Sequence, residues 1–350
     1  MKIGIIGLPG SGKTTLFNAL TGSSAELQSG KKDANISIVA VPDDRLGVLT
    51  GMYNPKKTVH AQIQFVDPQG NISSEDARAG GKGAATEEVL RLLRPADALA
   101  VVVRNFESLG SVPSPQADFD TLESEMILTD LISIEKRLER LEKECNKGKK
   151  DGLVELELLR EAKAALDAGK ALRTFPHIVN AQVLKGFTFL SAKPCITVIN
   201  SGDDEEMNRL TLMLPEGVSS VEVKARLEME LSQLEPDEAE VFRSEMGLKE
   251  SATQELIRAS YSLLGLISFF TVGEDEVRAW NITNGMNAQK SAGAVHSDIE
   301  KGFIRAEVVA YDDLIAAKSY QAAQKAGKVR LEGKEYIVRD GDIINFRFNV

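Results

Sequence analysis

Apolar and polar positions alternate along the chain in three textures. Residues 2–6 (Lys-Ile-Gly-Ile-Ile), 99–104 (Leu-Ala-Val-Val-Val-Arg) and 195–200 (Cys-Ile-Thr-Val-Ile-Asn) are short, nearly continuous apolar runs. Such runs predict strands buried on both faces, as in a parallel sheet. Residues 62–67 alternate and predict a half-buried strand that ends at Asp67. Between 122 and 144 the apolar positions Leu128, Leu131, Ile134, Leu138 and Leu141 recur at spacings of three and four on a charged background. That period predicts an amphipathic helix with a coiled-coil-like stripe. A polar turn over 146–152 and a second helix from 153 to about 172 complete an antiparallel hairpin. A partner-binding arm and a self-packed insert fit this hairpin equally well. From about 268 the pattern becomes short strands with glycine turns, including a hairpin over 328–338 and a closing strand over 343–350. The expected fold is therefore α/β, with a helical hairpin insert and a small α+β module of about 85 residues at the end.

The chain has 350 residues, of which 43% are hydrophobic and 27% charged, so two or three globular domains are expected. No apolar run approaches the ~18–20 residues of a membrane helix, and the first residues are broken by glycine too early for a signal peptide. Cys145 and Cys195 lie far apart without metal-ligand spacing, which reads as two reduced thiols of a cytoplasmic chain with no membrane partner. The net charge of −10 argues against a broadly basic nucleic-acid binder. From Leu266 onward 12 acidic side chains meet 11 basic ones, so charge alone gives that module no RNA affinity.

The candidate chemistry lies first at the N-terminus. The run Gly7-Leu8-Pro9-Gly10-Ser11-Gly12-Lys13-Thr14 satisfies the phosphate-loop pattern, between a predicted strand and a predicted helix. Backbone N–H groups of Gly10, Ser11, Gly12, Lys13, Thr14 and Thr15 would face the phosphates, with the helix dipole behind them. Lys13 would reach the β- and γ-phosphates, and the Thr14 hydroxyl would take a place on Mg²⁺. Asp67-Pro68-Gln69-Gly70 fits an Asp that holds Mg²⁺ through water and a Gly70 amide that approaches the γ-phosphate. Asn200-Ser201-Gly202-Asp203 stands where GTPases place Asn-Lys-x-Asp, but Ser201 replaces the lysine and blurs the choice of base. A metabolic kinase is disfavoured, because no lid pattern or arginine cluster appears.

Longer strings carry a family resemblance. Phe269-Phe270-Thr271-Val272-Gly273-Glu274, Glu276-Val277-Arg278-Ala279-Trp280, residues 295–308 and the closing Phe346-Arg347-Phe348-Asn349-Val350 resemble the Obg-like ATPase (YchF) family. Gly7-Leu8-Pro9, Phe65-Val66-Asp67, Ala192-Lys193-Pro194 and residues 263–270 fit the same family, so the likeness covers essentially the whole chain. The resemblance implies an Obg-related P-loop domain over 1–119 and 176–265, the helical hairpin insert over 120–175, and a TGS (ubiquitin-like β-grasp) domain over 266–350. It implies binding of ATP or GTP with Mg²⁺, slow hydrolysis, and association with ribosomes or RNA through the TGS and helical domains.

This sequence also departs from the family pattern. The segment 31–35 lacks the first-switch threonine. Asn71 follows the second-switch glycine, where the family puts an apolar residue, and is the one water-orienting candidate. Val101 stands in place of a histidine on the third strand. On the base side, Asn200, Asp203, Lys224 and Ala225 match the family's Asn-Val-Asp-Glu and Ser-Ala-Lys loops, with changes. The expectation is a slow, Mg²⁺-dependent purine nucleotide hydrolase acting as a switch on translation. The alternative is a nucleotide-binding interaction module that has lost hydrolysis.

Overall fold

The computed structural model describes residues 1–22, 26–28, 34–70, 72, 84–108, 111–145, 152–202, 212–246 and 251–349. They form two compact units, Met1–Val39 with Gln64–Leu256, and Ala40–Ile63 with Ile257–Val350. Residues 40–63 sit with the C-terminal module, and the hairpin belongs to the same unit as the phosphate loop.

The first unit is built on a seven-stranded sheet in the order β2-β3-β5-β1-β6-β7-β8. Its strands are β1 (Lys2–Gly7), β2 (Glu26–Gln28), β3 (Ala34–Ala40), β5 (Gln62–Pro68), β6 (Ala98–Asn105), β7 (Cys195–Ser201) and β8 (Ser219–Val223). From β5 through β1, β6 and β7 to β8 the neighbours run parallel, whereas β2 is antiparallel to β3. Every residue of β7 is buried, which explains its unbroken apolar run. Burial pushes the free Cys195 thiol up to about 11, so it serves as a small core side chain.

Helix α1 (Lys13–Thr21) follows β1, and α3 (Ala84–Leu93) precedes β6. Helix α4 (Pro115–Cys145) begins earlier than the spacing predicts and joins two cores. Its first turns bury Phe119, Leu122 and Met126 with the β6 side chains Leu99, Val101 and Val103. Its later turns bury Ile127, Ile134, Leu138 and Leu141 against Leu156, Leu159 and Leu166 of α5 (Leu153–Asp167). Arg137–Glu155, Arg160–Glu142 and Lys163–Glu135 ion pairs flank that seam. Two details differ from the expected hairpin. Leu128 is 47% exposed, because Ile127 takes its place in the stripe. The second helix stops at Asp167, where the Lys170 N–H donates to the Ala165 carbonyl (3.0 Å) and turns the chain. Asp130, fully buried on α4, accepts the backbone N–H groups of Leu190 (3.0 Å) and Ser191 (2.7 Å).

The second unit carries a six-stranded sheet in the order β12-β11-β13-β9-β10-β4. Its strands are β4 (Lys57–Val59), β9 (Leu266–Val272), β10 (Glu276–Thr283), β11 (Phe303–Ala310), β12 (Arg330–Glu332) and β13 (Asp342–Phe348). The parallel β13–β9 pair, flanked by antiparallel neighbours, gives the β-grasp arrangement. Phe269, Phe303, Phe346, Val308 and Ile344 form its core with Ala288 and Ala292, and Trp280 stacks on Phe269. The strand β4 comes from the N-terminal third of the chain and pairs parallel with β10. Helix α2 (Asp44–Tyr53) accompanies it, capped by the Asp43 carboxylate on the Arg45 N–H. Arg45 also reaches Asp340 at 2.7 Å and lies over the Phe270 ring. The hairpin expected over 328–338 does not form. Only β12 is a strand, paired with β11, while Tyr336 and Val338 make backbone hydrogen bonds to Ala288 and Met286. The Tyr336 hydroxyl draws that segment inward by donating to Asp342 (2.7 Å) and accepting from Arg330 (2.9 Å).

Candidate nucleotide site

The loop between β1 and α1 owes its shape to glycine. Gly10 and Gly12 have φ of 74° and 84°, a region that side chains disfavour. A Cβ on Gly12 would also lie 2.2 Å from the Asn200 amide nitrogen, so close approach and backbone conformation demand glycine together. Helix α1 starts at Lys13 with no side-chain cap and no acidic residue in its first turn. Its free N–H groups and positive dipole end suit an anion.

Lys13 Nζ donates to the carbonyls of Gly7 (2.8 Å) and Leu8 (3.2 Å), which folds the ammonium over the loop. Burial lowers its pKa, with the nearby Asp67 charge opposing that shift. Thr14 is exposed, and its hydroxyl donates to Asp67 Oδ2 at 3.3 Å. Asp67 is the last residue but one of β5 and is 2% exposed. Burial pushes its carboxyl above the usual range, while Asn35, Lys13 and Thr14 pull it back. The other oxygen, Oδ1, and the Ser11 hydroxyl are buried without a hydrogen-bond partner among the described residues. Orphaned polar atoms beside a phosphate loop are the residue set that a hydrated divalent cation and a phosphate would satisfy. Thr15 is half-buried in the first turn of α1, and Gly70 is exposed just beyond β5 with φ of 136°.

On the base side, Asn200 is buried at the end of β7 and ties two loops together. Its Nδ2 donates to the Ser11 carbonyl (2.9 Å), and its Oδ1 accepts the Ala225 N–H (3.1 Å). Ala225 opens α6 (Ala225–Leu231), and Lys224 is the residue just before it. Asp203 and Asn71 lie outside the described residues. The structure thus brings Lys13, Thr14 and Asp67 to one place and Asn200 and Ala225 to the adjoining one.

Several contacts escaped the sequence reading. Ser201, standing where GTPases have lysine, accepts from Asn105 Nδ2 (3.0 Å) and donates to Glu222 (2.6 Å), so a polar bridge across β6, β7 and β8 fills that position. Asn35 and Gln69 also border Asp67, and Gln69 Nε2 donates to Asn35 Oδ1 at 3.3 Å. No local pattern marks them, since their meeting depends on β3 lying beside β5. Val101 is fully buried in the core of the first unit and offers no proton acceptor.

Across the full length of both proteins, the chain is 42% identical to the "Ribosome-binding ATPase YchF" of Bacillus subtilis (strain 168). The chain belongs to the YchF family. The corresponding protein of Escherichia coli O157:H7 is 36% identical, over 100% of this chain and 99% of that one. Residues 266–349 match the family model YchF-GTPase_C, described as a protein of unknown function, and residues 2–133 match the model described as a 50S ribosome-binding GTPase. The solved "Structure of the Schizosaccharomyces pombe YchF GTPase" superposes with a TM-score of 0.78 at 27% identity, covering 99% of this chain and 97% of that one. Family membership therefore agrees with the architecture of a P-loop domain, a helical hairpin and a C-terminal β-grasp module.

Proposed function

We propose that this YchF-family chain is a cytoplasmic, Mg²⁺-dependent purine nucleoside triphosphatase that cycles slowly and acts with the ribosome. The observation that carries the nucleotide reading is the buried Asp67 carboxylate, with one oxygen on Thr14 and the other unpartnered, facing an uncapped phosphate-loop helix. The ribosome comes from the names of the relatives, "Ribosome-binding ATPase YchF".

In this reading the loop amides from Gly10 to Thr15 hold the phosphate oxygens, and the Lys13 ammonium swings from the Gly7 and Leu8 carbonyls to the β- and γ-phosphates. Thr14 and, through water, Asp67 would hold Mg²⁺, which neutralises charge on the phosphates when bound. The Gly70 amide closes on the γ-phosphate. Asn200 keeps the phosphate loop and the Ala225 turn in register on the purine side, with Lys224 next to that turn. Turnover is slow because β6 carries the apolar Val101, which leaves Asn71 as the water-orienting candidate. ATP and GTP both fit this description, and the polar Ser201 bridge in place of a lysine relaxes guanine selection.

Titration with fluorescent ATP and GTP analogues, with and without Lys13→Ala, tests the reading. Wild type is expected to bind in a Mg²⁺-dependent manner and hydrolyse slowly, whereas Lys13→Ala loses both by at least about tenfold, from removing a charge-assisted phosphate contact. Equal hydrolysis by the two proteins would refute the hydrolase. Co-sedimentation with ribosomal particles over a salt series tests the partner, and absence from every particle fraction at low salt would refute it.

A further inference from the structure

The helix Pro236–Glu245 inverts the usual arrangement of a surface helix. Such a helix ordinarily buries its large apolar side chains and turns small and polar ones to water. Here the small Ala239 is buried, whereas Val241 is 59% exposed and Phe242 42% exposed. Leu234 just before the helix and Met246 just after it are exposed as well. Single apolar side chains on a surface need no explanation, but two large neighbours on one helix face, with others close in sequence, are a patch.

The charge around that patch has one sign. Asp237 and Glu245 stand one turn before and after Val241, and Glu238 stands one turn before Phe242, all three exposed. Arg243, the one cation of the helix, is turned instead to the buried Glu228 carboxylate, 3.8 Å away. Asp237 and Glu238 suit the positive end of the helix dipole, but Glu245 lies in the last turn, where a carboxylate opposes it. The stability of the helix therefore does not account for the whole set.

We propose that this face docks a Lys/Arg-rich amphipathic helix of another protein. The apolar stripe of the partner covers Val241 and Phe242, and its cations meet Asp237, Glu238 and Glu245. The rows Asp237–Val241–Glu245 and Glu238–Phe242 run at a spacing of four, which makes the ridges that a second helix packs against. The acidic rim selects the occupant. RNA would bring phosphates against these carboxylates, and a second copy of the face would set like charge against like.

The test is titration of the full chain, at about 0.15 M salt, with a fluorescein-labelled synthetic helix of about 18 residues. The probe carries Leu along one stripe and Lys elsewhere. Phe242→Ser and Val241→Ser are each expected to weaken binding about tenfold, as loss of an anchoring side chain does. The triple reversal Asp237→Lys, Glu238→Lys, Glu245→Lys is expected to weaken it at least about tenfold and to flatten its salt dependence. Glu87→Lys, Glu139→Lys, Glu157→Lys changes the net charge equally at exposed positions elsewhere, and is expected to stay within about twofold of wild type. Equal losses in the two triple variants would reduce the effect to net charge and overturn the proposal. So would serine variants that bind like wild type, or a wild-type chain that does not take up the probe. Binding of an oligouridine that Phe242→Ser weakens would hand the face to RNA, and a dimer in sedimentation that Phe242→Ser abolishes would hand it to a second copy. Either result overturns the assignment.

Discussion

Asp67 is 2% exposed, its Oδ1 has no partner, and burial holds its carboxyl above the ordinary range. A carboxylate in that position weakens the folded state while readying the site for a cation. The sign follows from linkage. Below about pH 4, the ordinary aspartate range, folded and unfolded chains both carry the proton and Asp67 costs nothing. As pH rises, the unfolded chain ionises first, and folded stability falls until the native carboxyl has also ionised. Asp67→Asn should therefore raise the melting temperature at neutral pH, with a gain that vanishes in acid. It should abolish the Mg²⁺ dependence of nucleotide binding. A melting temperature unchanged at pH 7 would contradict the burial argument. Lys13, Thr14 and Asp67 were legible in the sequence because a contiguous loop and a strand end place them. Asn35, Gln69 and the Asn105–Ser201–Glu222 bridge were not, because each contact spans strands that are distant in sequence.

Helix α4 shows what periodicity can and cannot reveal. Ile134, Leu138 and Leu141 are buried as their spacing predicts, but Leu128 points outward and Ile127 takes the seam. The reason is that α4 serves two cores in succession, and the inward face shifts where Phe119, Leu122 and Met126 give way to the hairpin contacts. Stripe counting assumes a single partner along the helix and is blind to such a shift. Ile134→Ala should cost about 2–5 kcal/mol, and Leu128→Ala less than about 0.5 kcal/mol, by chemical denaturation. Equal effects would mean that the hairpin seam lies elsewhere. The failed hairpin at 328–338 has a similar origin. Alternation there reflects Tyr336 and Val338 turning towards the core and α7 (Ala288–Val295), which local pattern reads as a strand.

The alternation of short buried strands and helices made the α/β class legible, and the C-terminal strings made the β-grasp module legible. The route of residues 40–63 was not. Strand β4 and helix α2 lie in sequence between β3 and β5 of the first sheet, yet they complete the second unit. Leu46 and Leu49 of α2 are fully buried there, and Arg45 pairs with Asp340. Nothing local marks a segment for a partner more than 200 residues away. A truncation ending at residue 256 should consequently melt at lower temperature than the full chain and be cut by protease within 40–63, a region the full chain protects. Equal protection in both would show that this segment holds its structure without β10.

The same route bears on how the chain is made. Residues 40–63 emerge from the translating ribosome ~200 residues before the sheet that receives them begins to appear. At about 5–20 residues per second, that is a wait of roughly 10–40 s. Throughout it, Leu46 and Leu49 have no native cover, and β3 and β5 can pair on either side of an unfilled loop. The nascent chain must carry that loop open until its last hundred residues arrive, so slow synthesis or early termination leaves this segment without its native cover.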